Sequence, residues 1–298
     1  MVEQRAERVV SRDLWTPKLV ALDIDGTLLI PDFEKGFSTE QVTQPVTEAV
    51  LDAARAGVHV VLASGRAPLS MAGVADRLGL TALVEELTGE RLHIVASNGS
   101  VVVRHAPMEV IHEVTFDASD AVRTVLEHVP GAAVAVEEHG VGYRVNRLFP
   151  PGELDGEMII CDLDEMISTA VSRVIIRDPD STSEDFVHLA HKLGLHGTNY
   201  FIGWTAWLDI APEGVSKASG LEWVCRDLGV DAADVLAIGD GRNDIEMLQW
   251  AGRGVAMGQG PEVVREAADH VTAPVDQDGA ALELRRWFHG DESQASTA

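Results

Sequence analysis

Cysteine and positive charge are both scarce in this 298-residue sequence. Cys161 and Cys225 lie far apart and form no metal-binding spacing, and such sparse use of cysteine fits a reducing cytosol. Lysine and arginine number 23 against 48 aspartates and glutamates, which gives a formal net charge of −25. This charge argues against general binding to nucleic acid or to anionic membranes, because both are negatively charged like the protein.

Long apolar segments are missing as well. No run is long and apolar enough to span a membrane, and residues 1–18 carry charges throughout, without the apolar region of a signal peptide. We therefore expect a cytoplasmic protein that is a monomer or a small homo-oligomer. The length suffices for two domains with a substantial core, and a hydrophobic content of 46% is typical of globular proteins.

The most informative stretch is the apolar run at residues 19–22, which ends at two carboxylates. The run predicts a buried parallel strand, and side chains two residues apart in a strand point the same way, so Asp23 and Asp25 project together. Gly26 then permits a sharp turn. Paired acids at the carboxyl end of such a strand favour a hard divalent cation such as Mg²⁺. Taken alone, the motif is also compatible with a solvated Asp-Gly turn.

The same pattern of buried strands and amphipathic helices occurs on both sides of a differently patterned central region. Further buried strands are predicted at 58–63, 92–96 and 235–240, and between about 101 and 210 apolar and polar residues alternate, as in a half-exposed antiparallel sheet. We therefore predict an α/β fold: a doubly wound, Rossmann-like parallel-sheet core formed by 1–100 and 213–298, with an inserted α+β domain at 101–212. Within the insert, helices are predicted at 118–128 and 183–193. Residues 291–298 are predicted to be a frayed tail.

Polar side chains follow each of the predicted core strands. They are Asp23 with Asp25, Ser64, Asn98 and Asp240. Because the carboxyl ends of parallel strands meet at one edge of a doubly wound sheet, we expect these side chains to lie close together.

Together with Lys217, these groups could transfer a phosphoryl group. Asp23 can attack phosphorus as a nucleophile, and Asp25 can protonate the leaving oxygen and later activate water. Ser64 can donate a hydrogen bond to a phosphate oxygen, while Lys217 can neutralise phosphoryl charge and orient Asp23. Asp240 would complete a metal site, with Asp244 behind it through water.

The motifs resemble those of the haloacid dehalogenase superfamily, in its Cof-type sugar-phosphatase branch with a type IIB cap. The matching segments run in the family's order: Asp-Ile-Asp-Gly-Thr-Leu at 23–28, Ala-Ser-Gly-Arg at 63–66, Lys217, and Gly-Asp-Gly-Arg-Asn-Asp at 239–244, with support at 97–99, 256–258 and 276–279. The resemblance implies a Mg²⁺-dependent phosphatase that forms an aspartyl phosphate and acts on small phosphorylated metabolites, with sugar phosphates as the expected class.

The resemblance also assigns ligands. It implies that Mg²⁺ is bound by the side chains of Asp23 and Asp240 and by the backbone carbonyl of Asp25. The residues expected to contact phosphate or substrate are Ser64, Gly65, Arg66, Asn98 and Asn243. For Ser64, Arg66, Asn98 and Asn243, a scaffold or turn role is the alternative. Gln259 departs from the asparagine that relatives often carry after Met-Gly, which puts no catalytic role in doubt.

The inserted domain is predicted to be a cap that selects the substrate. Strand alternation predicts that Tyr143, Val145, Val174, Ile176, Leu208 and Ile210 pack against helices. The open face would then carry Arg144, Arg173 and Trp207, which could clamp a polar or anionic leaving group. The alternative is a solvated sheet face that touches nothing.

Other functions compete with the phosphatase. A phosphomutase of the phosphomannomutase type has a similar core and cap, and a phosphate-sensing or metal-sensing regulatory protein would need no turnover. A dehalogenase is disfavoured because Asp25 supplies the acid that ester cleavage needs, and a dinucleotide-binding domain is excluded because no Gly-x-Gly-x-x-Gly follows the first strand.

Overall fold

The computed structural model describes residues 15–32, 37–38, 42–178, 182, 184, 198–202 and 207–288. The first 14 residues, the predicted tail at 291–298 and, apart from Glu184, the predicted helix at 183–193 lie outside these described residues. Within the described ranges, no helix has the length and apolar character needed to cross a membrane.

The described residues form sixteen β-strands and nine α-helices. The strands are β1 (Leu19–Leu22), β2 (Pro31–Asp32), β3 (Phe37–Ser38), β4 (His59–Ala63), β5 (Leu92–Ala96), β6 (Val101–His105), β7 (Glu109–Glu113), β8 (Ala133–Glu138), β9 (Gly142–Val145), β10 (Glu157–Ile160), β11 (Val174–Arg177), β12 (Thr198–Ile202), β13 (Trp207–Pro212), β14 (Val235–Gly239), β15 (Arg253–Ala256) and β16 (His270–Val271). The helices are α1 (Gln44–Arg55), α2 (Pro68–Arg77), α3 (Leu80–Thr88), α4 (Ser119–His128), α5 (Leu163–Met166), α6 (Lys217–Leu228), α7 (Ile245–Trp250), α8 (Glu262–Ala267) and α9 (Gly279–Leu284).

The larger sheet has eight strands in the order β16-β15-β14-β1-β4-β5-β6-β7. The pairs from β16 to β5 are parallel, and β1 lies between β4 and β14. Along β1, Val20 and Leu22 join one apolar cluster while Leu19 and Ala21 join another on the opposite face. A strand that is buried on both faces needs helices on both, so the predicted doubly wound parallel core is confirmed.

The second sheet has six strands in the order β10-β9-β8-β11-β13-β12 and is mostly antiparallel. It begins at β8, because β6 and β7 pair antiparallel onto β5 and extend the larger sheet instead. The insert was predicted to begin at residue 101, whereas the second sheet begins only at β8. The alternation of residues 110–116 was typical of a half-exposed strand, and β7 is such a strand at the edge of the core sheet.

The two sheets are joined by a shared apolar cluster and by hydrogen bonds. Ala67, which directly precedes α2 of the core, packs in a cluster with residues from the second sheet and its loops, namely Ala133, Ala135, Tyr143, Val145, Phe149, Leu154 and Ile175. The buried hydroxyl of Ser97 in the core donates to Glu137 of β8 at 2.7 Å. The second sheet thus lies against the edge of the core where β4 and β5 end.

His139 links the two sheets through an ion-pair chain. Its Nε2 lies 2.7 Å from Glu113 of the core sheet, and its Nδ1 lies 3.2 Å from Glu137 of the second sheet. The hydrogen bond with Glu137, followed by that with Glu113, raises the pKa of His139 to about 9, against an opposing effect of burial.

The ion pairs of His139 predict that the stability of the protein depends on pH. Because the folded pKa of His139 lies above its unfolded value, its contribution is complete below about pH 6.5 and is lost as the pH rises through about 9. We expect the free energy of unfolding to fall across this window by up to roughly 3 kcal/mol, measured by denaturant titration at pH 6 and pH 9.5. In His139→Gln this component of the pH dependence should disappear. An identical pH dependence in both proteins would exclude His139 as its source.

Candidate active site

Asp23 follows β1 and is held at the carboxyl edge of the core sheet. Its backbone N–H donates to Ile238 of β14 at 3.0 Å, and its side chain is buried. Gly26 turns the chain with a φ of 81°, and a Cβ at this position would lie 2.1 Å from Oδ2 of Asp240. Glycine is therefore required both for the turn and for the close approach of Asp240 to the turn.

Lys217 reaches the same edge from the first position of α6. Ser216 caps that helix, its side chain accepting from the backbone N–H of Ser219. The helix approaches the core closely because Gly99 has a φ of 100° and no side chain, since a Cβ there would lie 2.0 Å from the carbonyl oxygen of Ser216. This approach carries the fully buried Lys217 side chain into the cluster of acids.

Two buried carboxylates hold the Lys217 ammonium group. Nζ donates to Oδ1 of Asp23 and to Oδ1 of Asp244, both at 2.6 Å. Burial alone would lower the pKa of Lys217, but the two carboxylates raise it above its usual range, so the group stays charged. Oδ2 of Asp244 accepts from the backbone N–H groups of Asp240 and Gly241 at 2.9 and 2.8 Å. Asp244 therefore fixes both the lysine and the turn after β14.

The cluster carries more negative than positive charge. Carboxylate oxygens of Asp23, Asp240 and Asp244 all lie within 4.8 Å of one another. Burial and the charge of Asp244 raise the pKa of Asp23 well above its ordinary value, and the same two causes raise that of Asp240 to about 7. Three buried acids facing one buried lysine fit a divalent cation, because oxygen ligands and excess negative charge are what such an ion requires. These residues could therefore hold a metal.

The predicted phosphate-contacting residues meet at the ends of β4 and β5. Ser64 is buried and its carbonyl oxygen accepts from the backbone N–H of Asn98 at 3.0 Å. The side-chain amide of Asn243, from the turn after β14, donates to Oδ1 of Asn98 at 3.0 Å. Gly65 lies against Asn98, so that a Cβ there would be 3.1 Å from its amide atoms. All four residues thus lie together at the carboxyl edge of the core sheet, as their positions after the predicted strands indicate. Their contact with phosphate stays a prediction.

Arg66 has a different partner from the predicted phosphate. Its Nε and Nη2 donate to the two carboxylate oxygens of Asp25 at 2.7 and 2.6 Å. Burial opposes the charged form of Arg66, yet the hydrogen bonds with Asp25 raise its pKa overall. Asp25, the residue predicted to transfer protons, is therefore held by a bidentate ion pair with Arg66.

Gln259 is a supporting residue of the site that sequence reasoning undervalued. Its Nε2 donates to the carbonyl oxygen of Gly26 at 2.6 Å and to Oδ2 of Asp240 at 3.3 Å, while its Oε1 accepts from the backbone of Val275. It connects the turn after β1 to the acid after β14. The sequence did contain a signal for this supporting role, because Gln259 occupies the position after Met-Gly where relatives often have another amide.

Two of the three predicted cap residues share the face that meets the core. Registers across β8, β11 and β13 align Ala135, Ile175 and Asp209, so Arg173 and Trp207, each two residues along, lie on that face too. Arg173 is buried and pairs with Asp209 at 2.8 Å. The indole N–H of Trp207 also donates to Asp209, at 3.1 Å.

Arg144 lies on the opposite face, and the prediction that it shares a face with Trp207 is wrong. It is in register with Val136, which packs in the cluster beneath α4, and it pairs with Glu138 at 2.9 Å. Tyr143 and Val145, predicted to pack against helices, instead contact the core side through the Ala67 cluster. Both faces of this sheet are covered by apolar groups. Alternation therefore sorts the residues into two faces but does not show which face meets the core. The predicted packing of Val174, Ile176, Leu208 and Ile210 beneath helices is confirmed.

Known proteins resemble this chain in sequence. Residues 20–284 match the family of haloacid dehalogenase-like hydrolases. The chain belongs to this family. The phosphoglycolate phosphatase of Natronomonas pharaonis is 30% identical over 270 residues, which cover 90% of this chain and 96% of that protein. The predicted family and the predicted assignment to a hydrolytic enzyme are therefore confirmed.

Solved structures of the superfamily resemble most of the chain. A phosphatase from Bacteroides thetaiotaomicron is 30% identical, covers 94% of this chain and 98% of its own, and superposes with a TM-score of 0.70. A sugar phosphatase of subclass IIB, 24% identical with 91% and 98% coverage, has a TM-score of 0.72. The second likeness shows that a mixed α/β architecture with a central, mostly parallel sheet is the fold of this haloacid dehalogenase-like hydrolase.

Proposed function

We propose that this hydrolase is a Mg²⁺-dependent phosphatase of small phosphorylated metabolites, with sugar phosphates as the favoured class, and that it acts through an aspartyl phosphate on Asp23. One observation carries the proposal. The buried Asp23 carboxylate is held by Lys217 at 2.6 Å and by the hydroxyl of Thr27 at 3.2 Å, beside two further buried acids. An anionic nucleophile fixed beside an excess of acids, with a separate acid nearby, suits phosphoryl transfer.

The reaction proceeds in two displacements. An Asp23 oxygen attacks phosphorus, the ester P–O bond breaks, and the proton of Asp25 passes to the leaving oxygen. Water then attacks phosphorus, Asp25 takes its proton, and the bond between Asp23 and phosphorus breaks to release inorganic phosphate. When bound by the side chains of Asp23 and Asp240 and the backbone carbonyl of Asp25, Mg²⁺ supplies charge that offsets repulsion between carboxylate and phosphate dianion.

The second sheet is proposed to act as the cap that selects the leaving group. The core residues serve the phosphoryl group, whereas the face with Arg173, Asp209 and Trp207 lies on the side of the cap that meets the core. Relatives with this core act on different esters, since one is named a phosphoglycolate phosphatase and another a sugar phosphatase. A variable cap over a shared core accounts for that difference.

Replacing Trp207 is expected to alter substrate ranking. The indole is fixed by its hydrogen bond to Asp209 and by an edge contact with Phe149, at 6.1 Å between ring centroids. In Trp207→Ala we expect kcat/KM values for metabolite esters to change relative to one another by about tenfold or more. Turnover of p-nitrophenyl phosphate should stay within about threefold of wild type, because its leaving group needs little recognition.

Arg144→Ala provides the matched control. This residue belongs to the same sheet but lies on the face beneath α4. It should leave the ranking unchanged over the same ester panel. If Trp207→Ala also matches wild type on every ester, the Trp207 face does not select the substrate.

A panel of phosphate monoesters, including p-nitrophenyl phosphate and sugar phosphates, tests the proposed activity directly. We expect release of inorganic phosphate from the purified protein with Mg²⁺. Conversion of a sugar phosphate to its isomer without phosphate release would instead identify a phosphomutase. Absence of turnover on every ester would favour a regulatory protein.

A further inference from the structure

The acid that transfers protons is the least enclosed of the carboxylates in the site. The side chain of Asp25 is 34% exposed, whereas those of Asp23 and Asp244 are 5% and 0% exposed. A partly exposed carboxylate can exchange protons with substrate and water. Proton transfer in a transition state requires the donor to be held within hydrogen-bond reach of the reacting oxygen.

Arg66 constrains the Asp25 carboxylate directly. Nε and Nη2 form a fork to both oxygens of Asp25, a contact that defines the plane as well as the position of the carboxylate. The remaining guanidinium nitrogen, Nη1, lies 3.3 Å from the hydroxyl of Ser70 on α2. The guanidinium is therefore tied to a helix on one side and to Asp25 on the other.

The backbone of Arg66 is anchored as well. Its N–H donates to the hydroxyl of Ser64 at 3.3 Å, and its carbonyl oxygen accepts from the N–H of Ser97 at 2.8 Å. The next residue, Ala67, packs in the cluster formed with the cap. Arg66 thus lies between the phosphate-binding end of β4 and the cap contact, with little freedom to move.

We propose that Arg66 is a positioning residue that orients Asp25 for proton transfer and does not bind the phosphoryl group itself. The inference rests on the proposed phosphatase function and adds a role to it. The other acids have their own partners, since Lys217 holds Asp23 and Gln259 contacts Asp240. Loss of Arg66 should therefore impair proton transfer while leaving the nucleophile and its lysine in place.

The test varies the leaving group of the substrate. p-Nitrophenolate leaves readily without a proton, whereas an alkoxide requires one, so a misplaced acid affects alkyl esters most. In Arg66→Ala we expect kcat/KM to fall by about 100-fold or more for alkyl phosphates and by less than about tenfold for p-nitrophenyl phosphate. Inhibition by inorganic phosphate should stay within about twofold of wild type, because the phosphoryl contacts remain.

Two further variants support the comparison. Arg66→Lys keeps the charge but lacks the fork, so it should restore only part of the leaving-group effect, and added guanidinium should partly rescue Arg66→Ala. Arg55→Ala, which removes an arginine that pairs with Asp52 on α1, should match wild type on every ester. Thermal unfolding of each variant verifies that it is folded.

The outcomes separate the possible roles of Arg66. An equal loss for all esters together with weaker inhibition by phosphate would overturn the proposal and make Arg66 a phosphate ligand. Higher activity in Arg66→Ala would also overturn it, because Arg66 would then withdraw Asp25 from the reaction. If the wild-type protein hydrolyses no ester, the proposed phosphatase function fails and this inference fails with it. If the wild type is active and only the leaving-group pattern is absent, the phosphatase function stands.

Discussion

Asp23→Asn is expected to lower kcat by at least about 10⁴-fold, the scale of loss when an essential group of a catalytic unit is removed. The amide has nearly the same size as the carboxylate but is no nucleophile toward phosphorus. Lys217 would retain Asp244 as a charged partner, so the variant should fold. The measurement is steady-state release of inorganic phosphate from the best ester of the panel.

Asp52→Asn is the matched control for this substitution. Asp52 lies on α1 and pairs with Arg55, away from the cluster of acids. The same chemical change there should leave kcat within about twofold of wild type. Rates near wild type in Asp23→Asn would contradict nucleophilic attack by Asp23.

Removal of divalent cations is expected to abolish turnover almost completely. Three buried acids face one buried lysine, and an incoming phosphate dianion would add to the repulsion. Activity measured after exhaustive chelation should return on addition of Mg²⁺. Calcium should restore it poorly, because its larger and looser coordination misplaces the attacking carboxylate.

Asp240→Asn separates cation binding from nucleophilic attack. This change removes a predicted ligand but leaves Asp23, so we expect a higher Mg²⁺ concentration for half-maximal activity, with part of kcat retained at saturation. EDTA already saturated with Mg²⁺ is the control for effects of the chelator itself. Full activity after exhaustive chelation would refute the metal requirement.

The arrangement of the core site could be predicted because parallel strands end at a common edge. Asp23, Ser64, Asn98 and Asp240 each follow an apolar strand, so their convergence follows from the strand order alone. Lys217 could be placed only through the family motif, because its position depends on how closely α6 approaches Gly99. A contact between backbones that are distant in sequence leaves no periodic signal.

Arg66 shows why the partners of charged residues were harder to predict. The sequence placed it beside a strand end that faces phosphate, and either phosphate or a carboxylate satisfies a guanidinium. Its pairing with Asp25 depends on the separation of the turns after β1 and β4, which the sequence does not specify.

The second sheet illustrates a limit of strand patterning. Alternation correctly separated Tyr143 from Arg144 onto different faces. It could not identify the face that meets the core, since Ala67, Phe149 and Leu154 cover one side with apolar groups just as α4 covers the other.

Trapping the covalent intermediate tests the central claim most directly. An acyl phosphate is reduced by borohydride to an alcohol, which would convert the modified aspartate to homoserine. The protein is mixed with Mg²⁺ and substrate, quenched in acid during turnover, reduced and digested, and the peptide that contains residue 23 is analysed by mass spectrometry. The account predicts homoserine at Asp23 in the wild type, in a substrate-dependent amount, and none at Asp25, Asp240 or Asp244. Rapid product formation with an unmodified Asp23 at every quench time would contradict it.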